Sequence, residues 1–182
     1  MIPRFEAWAS IPRLYRDIVI TEKIDGTNGI IYVSDDLSTV IAGSRSRWLV
    51  NGDDNQGFAR WVAENQNKLR EFLGPGTHYG EWWGAGIQRR YSLKEKRFSL
   101  FNAVRWEAFR TPPETLPTLG VVPILASGPF SDELVQQTLQ NLREAGSYAA
   151  PGFMDPEGIV VFHTHSRHMY KVTLKGDQHK GQ

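Results

Sequence analysis

Hydrophobic and polar residues alternate in short runs along most of the chain, and this pattern is typical of β-strands. Eight runs that are rich in β-branched or aromatic residues fit the two-residue repeat of a strand. These runs cover residues 18–20, 29–33, 39–42, 77–82, 98–106, 121–125, 158–162 and 169–174. Turn-forming residues separate them, so the sequence predicts many short strands that are connected by turns.

Two longer segments have the apolar spacing of amphipathic helices. The first covers residues 56–72 and ends before the helix-breaking sequence at residues 74–76. The second begins after Ser131, a residue suited to the N-cap position, and ends near Gly146. Strands connected by turns, with only two helices between them, predict an α+β fold of antiparallel sheets with flanking helices.

The length of 182 residues is that of one domain, and we expect a single domain over residues 1–182. The composition, 40% hydrophobic and 23% charged, is ordinary for a globular protein. The absence of cysteine excludes disulfides and thiolate metal sites. No apolar run in the sequence is long enough to cross a membrane, so we expect a cytoplasmic protein without a membrane partner.

The formal net charge is only +1, but the basic residues are unevenly distributed. They are concentrated in residues 44–47, 89–97 and 167–180. A local basic patch attracts a polyanion more than the total charge does. Each cluster is therefore a candidate nucleic-acid contact, with a solvated surface loop as the alternative interpretation.

Lys23 is the strongest candidate for chemistry in the sequence. It follows the apolar run 18–20 and precedes a turn at Asp25-Gly26, where the backbone can approach a ligand closely. A lysine becomes an effective nucleophile only where neighbouring charge or desolvation favours its neutral form. Because Asp-Gly is also a common turn dipeptide, the local sequence alone is equally consistent with a surface lysine beside a β-turn.

Six motifs follow one another along the chain from Lys23 onward. The first is Lys-Ile-Asp-Gly-Thr-Asn at residues 23–28, and the others lie at residues 43–45, 79–82, 98–101, 157–161 and 170–172. Their order and spacing resemble those of the covalent nucleotidyltransferases, a superfamily of DNA ligases, RNA ligases and mRNA capping enzymes. The sequence is most similar to the ATP-dependent RNA ligases of the phage RNA ligase 2 type.

The resemblance implies a role for each residue near the reacting phosphate. Lys23 would attack the α-phosphate of ATP and hold AMP as a phosphoramide. Lys171 would give that phosphate a positive charge, with Lys175 as a weaker substitute for the lysine that many relatives have at the position of Met169. Glu157 would hold Mg²⁺ or Mn²⁺, which neutralises charge on phosphates during transfer.

The resemblance also implies which residues bind the nucleotide. Glu81 would accept hydrogen bonds from the ribose hydroxyls, and Phe101 would stack against adenine. Arg45 would contact the ribose or a phosphate, and Asn28 would belong to the same set and act in the later joining steps. Glu22, which immediately precedes the nucleophile, completes the nucleotide-binding set.

Three further arginines, Arg47, Arg89 and Arg90, are candidate contacts for the nucleic acid. Arg89 and Arg90 follow a glycine-rich stretch and precede Tyr91. Basic side chains next to an aromatic ring suit the phosphates and bases of a polynucleotide. A solvated surface loop is the alternative for this stretch as well.

By this resemblance the chain is a minimal ATP-dependent RNA ligase that consists of the nucleotidyltransferase domain alone, with no C-terminal OB-fold domain. Its partners would be ATP and RNA or DNA ends that carry a 5′-phosphate and a 3′-hydroxyl, and we expect a monomer that acts in nucleic-acid repair. A DNA ligase, an RNA-capping guanylyltransferase and a non-catalytic nucleotide- or RNA-binding module are alternatives. The intact set of lysines and glutamates argues against the module, since a binding protein has no need of a nucleophile.

Overall fold

The computed structural model describes residues 3–50 and 52–175, which contain nine β-strands and two α-helices. The strands are β1 (Asp17–Lys23), β2 (Thr27–Val33), β3 (Val40–Gly43), β4 (Gly76–Gly84), β5 (Lys96–Leu100), β6 (Leu119–Val121), β7 (Ile124–Pro129), β8 (Gly158–His163) and β9 (His168–Thr173). The helices are α1 (Phe58–Leu73) and α2 (Asp132–Ala145), and short 3₁₀ helices cover Arg90–Ser92 and Glu107–Arg110. The α+β class predicted from the sequence is confirmed.

The strands form two sheets. The five-stranded sheet has the order β3-β2-β4-β5-β6, and its strand pairs are antiparallel except for the pair β5 and β6. The four-stranded sheet has the order β7-β1-β8-β9, and all of its pairs are antiparallel. Residues 24–26 connect β1 of the second sheet to β2 of the first, so the turn that follows Lys23 joins the two sheets.

Helix α1 covers one face of the five-stranded sheet. Phe58 begins this helix and packs against Trp82 of β4 and Phe98 of β5, with ring centroids 5.4 and 5.1 Å from its own. Gly29 of β2 permits this packing, because a Cβ atom there would lie 2.6 Å from the Phe58 ring. Aromatic rings fill this face, and the side chains that alternate with them in the strands lie on the opposite face.

Helix α2 covers one face of the four-stranded sheet. Ser131 is its N-cap, as predicted, and the hydroxyl accepts a hydrogen bond from the Leu134 N–H. Ile20 of β1 and Ile159 of β8 are fully buried in the cluster that this helix completes. Because side chains alternate along a strand, β1 directs Lys23 to the face that α2 does not cover.

Two of the predicted runs do not form one continuous strand. β5 ends at Leu100 and not near residue 106, because the Asn102 side chain accepts a hydrogen bond from the Arg105 N–H and starts a turn. The run 121–125 is divided between β6 and β7, since Pro123 cannot donate the hydrogen bond that a continuous strand would need. Each predicted run otherwise overlaps a strand, and both predicted helices are present.

The last part of the basic cluster at residues 167–180 lies outside the described residues, which end at Lys175. Among the helices that the structure describes, none has the length and apolar character that crossing a membrane requires.

Candidate active site

Lys23 is the last residue of β1 and lies where the two sheets are joined. Along this strand the buried residues Ile18, Ile20 and Glu22 alternate with less buried ones, and Lys23 belongs to the second set. Its side chain is 25% exposed. The side chain is therefore partly accessible from solvent and otherwise flanked by protein.

The Lys23 amine contacts Glu157 directly, with Nζ donating to Oε2 at 2.6 Å. Glu157 precedes β8, in which Gly158 is the sheet partner of Lys23. Gly158 has a φ of 155°, and a Cβ atom there would collide with the Val172 carbonyl oxygen. The alternation of β8 predicts that Glu157 shares the face of Ile159, but the backbone at this glycine places the carboxylate beside Lys23 instead.

A second carboxylate, that of Glu81, lies on the other sheet beside Lys23. Glu81 of β4 is the partner of Asn28 of β2, and the Asn28 amide donates to its Oε2 at 3.2 Å. Burial raises the pKa of Glu81 to about 7; the positive charge of Lys23 opposes this rise, and the negative charge of Glu157 adds to it. The structure thus brings together four predicted site residues from separate segments: Lys23, Asn28, Glu81 and Glu157.

Arg89 connects the turn after Lys23 to the segment before Glu157. Its Nη1 donates to Asp155 Oδ2 at 2.6 Å, and its Nε lies 3.1 Å from Asp25 Oδ2 in an ion pair without hydrogen-bond geometry. The Arg89 side chain is only 17% exposed. The sequence predicts that Arg89 contacts nucleic acid, but its charge is paired with the carboxylates of Asp25 and Asp155 in the same chain.

Tyr91 holds the same turn through its hydroxyl, which accepts a hydrogen bond from the Asp25 N–H at 2.7 Å. The ring is buried, and this burial raises the pKa of the Tyr91 phenol above its ordinary value. Four non-glycine residues between positions 88 and 92 have positive φ, a strained conformation that is common at functional sites. The sequence pattern indicated Tyr91 only as the aromatic neighbour of a nucleic-acid contact, which its burial does not fit, and it did not indicate Asp155. The glycines just before this loop were the available signal.

Glu22, which was expected to bind the nucleotide, lies on the opposite face of β1 from Lys23. Its carboxylate accepts hydrogen bonds from the Ser147 hydroxyl at 2.6 Å and from the N–H groups of Tyr148 and Ala149, each at 2.8 Å. Burial raises the pKa of Glu22, and these hydrogen bonds oppose the rise. Glu22 therefore fixes residues 147–149 and does not join the carboxylates around Lys23.

The two candidate lysines of the last motif have different surroundings. The register from β9 through β8 to β1 places Lys171 on the same face as Lys23. Their Cα atoms are separated by two strand spacings and by two residues along the strand, which corresponds to roughly 12 Å. Lys175 is exposed, and its Nζ lies 3.3 Å from the Asp155 carboxylate. Lys171 is thus placed to face a ligand beside Lys23, whereas Lys175 is paired.

Phe101 lies on the surface that carries Glu81. It follows β5, and its N–H donates to the Tyr79 carbonyl of β4 at 2.9 Å. Phe101 continues the face of Ser99, which is the sheet partner of Glu81. Its side chain is 39% exposed, so the ring is available to a planar ligand.

The remaining predicted arginines lie at the surface. Arg45 and Arg47 follow β3 and line a shallow groove of about 270 Å³ together with Ile30. The Arg47 Nε lies 3.1 Å from the Asp53 carboxylate, and Arg90 is exposed. The structure therefore leaves Arg45 and Arg90 available to a ligand and pairs Arg47 at the surface.

A metal site can be tested against these carboxylates. The described part of the chain contains no group of three or more His, Cys, Asp or Glu side chains that could hold a metal ion. Mg²⁺ commonly binds through one or two carboxylates, with water and substrate phosphates as its other ligands. Glu157 and Glu81 fit a site of this open kind, because both carboxylates lie beside Lys23 and repel each other.

The two sheets and the lysine-centred site define the adenylation fold of the RNA ligases. Two solved structures of variants of Naegleria gruberi RNA ligase, one with AMP and Mn and one with ATP and Mn, superpose with TM-scores of 0.64 and 0.63 at 20% and 22% identity. In both cases the match covers 88% of this chain and 50% of that chain. A third variant of the same ligase, solved in the apo form, gives a TM-score of 0.63 at 21% identity, over 87% of this chain and 49% of that one. The chain thus spans about half the length of these relatives.

The chain belongs to the RNA ligase family, because the profile of that family matches residues 16–175. No curated protein sequence matches the chain.

Proposed function

We propose that this protein is an ATP-dependent RNA ligase of the phage RNA ligase 2 type, which forms a covalent lysyl-AMP at Lys23. The enzyme then transfers AMP to the 5′-phosphate of an RNA and seals that end to a 3′-hydroxyl. The observation that carries the proposal is the position of the Lys23 amine, accessible from solvent and 2.6 Å from Glu157. Membership of the RNA ligase family supports it.

In the first step, the lone pair of the neutral Lys23 amine attacks the α-phosphorus of ATP. The N–P bond forms while the bond from phosphorus to the oxygen of pyrophosphate breaks, and pyrophosphate leaves with that electron pair. Glu157 is in hydrogen-bond contact with the amine and is therefore placed to accept a proton from it.

The two later steps use the same surface. An oxygen of the RNA 5′-phosphate attacks the phosphoramide, the N–P bond breaks, and Lys23 regains a proton. The 3′-hydroxyl then attacks the phosphorus of the 5′-phosphate, and AMP leaves. We assign Asn28 to these joining steps, since its amide donates to Glu81 beside the nucleophile.

In this proposal the nucleotide lies between the two sheets, across the face of β1 that carries Lys23 and the face of β4 that carries Glu81. Phe101 stacks against adenine, and Glu81 accepts hydrogen bonds from the ribose. Lys171 neutralises charge on the α-phosphate, because the flexible side chains of two lysines roughly 12 Å apart can reach one phosphate between them. Arg45 contacts the ribose or a phosphate from the loop after β3.

Mg²⁺ or Mn²⁺ would be held at Glu157, with Glu81 near it. When bound, such an ion supplies positive charge that neutralises the phosphates during transfer. The structures of Naegleria gruberi RNA ligase with ATP and Mn support the use of ATP and a divalent ion by this chain.

The proposal also covers the state in which the enzyme works. We propose that residues 1–182 act as one nucleotidyltransferase domain, as a monomer in the cytoplasm, on RNA ends that need repair. Light scattering coupled to size exclusion, at concentrations that support activity, would show a molar mass near the 20.7 kDa of one chain. A dimer mass under those conditions would contradict the monomer.

Labelling with α-labelled nucleotide tests the proposal. The protein is incubated with Mg²⁺ or Mn²⁺ and either ATP or GTP, and label that resists denaturation is measured. We expect label from ATP and none in Lys23→Ala. Lys68→Ala is the matched control, because Lys68 lies on α1, which covers the opposite face of the five-stranded sheet. This variant should be labelled as fully as the wild type.

Other outcomes of this experiment distinguish the alternatives. Label from GTP and not from ATP would favour an RNA-capping guanylyltransferase. An absence of label from both nucleotides and with both metals would favour a non-catalytic binding module. Sealing of nicked DNA in preference to nicked RNA, in a parallel assay, would favour a DNA ligase.

A further inference from the structure

Residues 3–16, here called the N-terminal arm, carry large apolar side chains that are almost completely exposed. The exposed fractions of Phe5 and Trp8 are 87% and 92%. The arm contains no helix or strand, and it precedes almost the whole of the family match, which begins at residue 16. Large apolar side chains that lie exposed close together often mark an interaction site. The arm is therefore a candidate binding surface.

The charge of the arm indicates the chemistry of that partner. Three arginines, Arg4, Arg13 and Arg16, stand against one acidic residue, Glu6. None of the ion pairs among residues 3–50 and 52–175 involves any of these arginines. Unpaired cations interleaved with aromatic rings are the combination that binds single-stranded nucleic acid, because the bases stack on the rings and the cations follow the phosphates.

The root of the arm is fixed to the four-stranded sheet. The Leu14 carbonyl accepts a hydrogen bond from His163 Nε2 at 2.8 Å, and the Tyr15 ring packs against Phe130 with centroids 6.4 Å apart. Beside it, Tyr15, Arg16 and His165 line a surface groove of about 460 Å³, together with one acidic residue, Asp17. The anchored root thus combines aromatic and basic groups in one groove, and the free part of the arm extends from it.

The root lies at the opposite end of β1 from Lys23. Arg16 immediately precedes this strand, and seven residues of extended chain place Lys23 roughly 24 Å away. That length corresponds to about seven nucleotides at the ~3.4 Å rise of a stacked strand. A strand of RNA whose end reacts at Lys23 is long enough to reach the root.

We propose that the N-terminal arm binds a single-stranded segment of the RNA substrate, with bases stacked on Phe5 and Trp8 and phosphates held by Arg13 and Arg16. The inference rests on the proposed function for the identity of the RNA. Adenylylation of Lys23 does not involve the arm, which contributes to the binding of RNA and to its sealing.

The test uses full-length variants and a fluorescently labelled single-stranded RNA. Trp8→Ala is expected to weaken RNA binding about tenfold, within the range found for the removal of one stacking ring, and Trp8→Phe to restore most of it. Ile11→Ala is the matched control. Ile11 is as exposed as Phe5 but cannot stack on a base, so its variant should bind RNA like the wild type.

The salt dependence of binding tests the phosphate contacts. Replacing both Arg13 and Arg16 by Gln should reduce the slope of log K against log salt by about 1.4, or about 0.7 for each phosphate that the variant no longer neutralises. Arg143→Gln with Arg110→Gln removes the same charge at exposed positions elsewhere and should leave the slope unchanged.

Three results would overturn the inference: RNA affinity unchanged in Trp8→Ala, an Ile11→Ala defect as large as that of Trp8→Ala, or a molar mass that shifts in the arm variants. The second and third would indicate an apolar protein partner or a second copy of this chain. Labelling of Lys23 by ATP is measured in every variant. A wild type that lacks label but binds RNA through the arm would refute the proposed function and leave this inference standing.

Discussion

The Lys23 amine donates a hydrogen bond to the Glu157 carboxylate over 2.6 Å, and the amine must lose a proton before it can attack a phosphate. A protonated amine has no lone pair, so a proton has to leave Nζ for the first step of the proposed reaction, and Glu157 lies within hydrogen-bond reach of it. Glu81 adds a second carboxylate whose charge is costly at this place, as its raised pKa shows. The residues around Lys23 thus favour the approach of a cation, including a divalent ion that is bound to the phosphates of a nucleotide.

Glu81 makes the stability of the folded protein depend on pH. Its pKa rises from an ordinary 4.5 to about 7 on folding, so the stabilising contribution of this shift is complete below pH 4.5 and is lost as pH rises through 7. Between these limits the free energy of unfolding of the wild type should fall by up to about 3 kcal/mol relative to that of Glu81→Gln. Urea unfolding at pH 4.5 and pH 8, with chelator present, measures this difference. Glu64→Gln, at an exposed position on α1, is the control, and a Glu81→Gln curve parallel to the wild type would contradict the expectation.

Lys171 and Lys175 should differ in their importance for adenylylation. Lys171 shares the face of Lys23, whereas Lys175 is exposed and paired with Asp155. We expect Lys171→Ala to slow lysyl-AMP formation by about 10²-fold, as the removal of one preorganised charge does at other sites, and Lys175→Ala to slow it much less. Rapid-quench kinetics with labelled ATP provide the comparison. If both variants slow lysyl-AMP formation equally, or if Lys175→Ala slows it more, the register of β9 does not determine which lysine contacts the α-phosphate.

The motif pattern predicted which residues meet at the site better than it predicted their contacts. Lys23, Asn28, Glu81 and Glu157 could be chosen from the sequence because the order of its motifs resembles that of the covalent nucleotidyltransferases. The partners of Glu22 and Arg89 could not, since they depend on loops that approach from distant parts of the chain. Whether a carboxylate faces a nucleotide or the backbone of residues 147–149 is decided by tertiary packing, which a local pattern does not contain.

At the scale of elements, the loop between β4 and β5 holds the turn that follows Lys23 in place. It carries Arg89, which bridges Asp25 and Asp155, and Tyr91, which accepts a hydrogen bond from the Asp25 N–H. Positive φ angles at four non-glycine residues show that the loop is strained. Strain of this kind is retained where surrounding contacts stabilise it, and here those contacts fix the segments on both sides of the Lys23–Glu157 pair.

Removal of the Arg89 bridge should lower the rate of adenylylation more than the affinity for ATP. In Arg89→Ala we expect kcat to fall roughly tenfold, or about 1.4 kcal/mol, with little change in KM, because this residue positions the turn and does not touch the nucleotide. Arg89→Lys should recover little, since a single ammonium cannot bridge two carboxylates as a guanidinium does. Arg90→Ala, the exposed neighbour, is the control. A selective rise in KM would instead assign Arg89 to nucleotide binding.

Most elements could be predicted from the sequence because each strand has a two-residue pattern and each helix a clear end. The errors occur where side chains redirect the backbone. Asn102 starts a turn within an apolar run, so Val104 is exposed although its sequence context resembles a strand. Pro123 divides a second run into two strands of different sheets. Both errors come from hydrogen bonds made or excluded by one residue, which hydrophobic periodicity does not register.

At the scale of the whole molecule, two sheets meet at residues 24–26, and Lys23, the proposed nucleophile, precedes this connection. The chain spans about half the length of the Naegleria gruberi ligases that it resembles, so sealing by this chain alone is part of the proposal and not of the comparison. The order of the motifs allowed the family to be predicted, because their spacing reflects the path of the chain through both sheets. The N-terminal arm could not be interpreted in this way, since the family match begins only at its end.

The central claim is that Lys23 becomes covalently linked to AMP. Mass spectrometry of the protein after incubation with ATP and Mg²⁺ tests it most directly, because it locates the modified residue on the peptide. The account predicts AMP on Lys23 in the wild type, none on any residue in Lys23→Ala, and loss of the modification when pyrophosphate is added to reverse the reaction. AMP on another residue, or a wild type that remains unmodified with either Mg²⁺ or Mn²⁺, would contradict it.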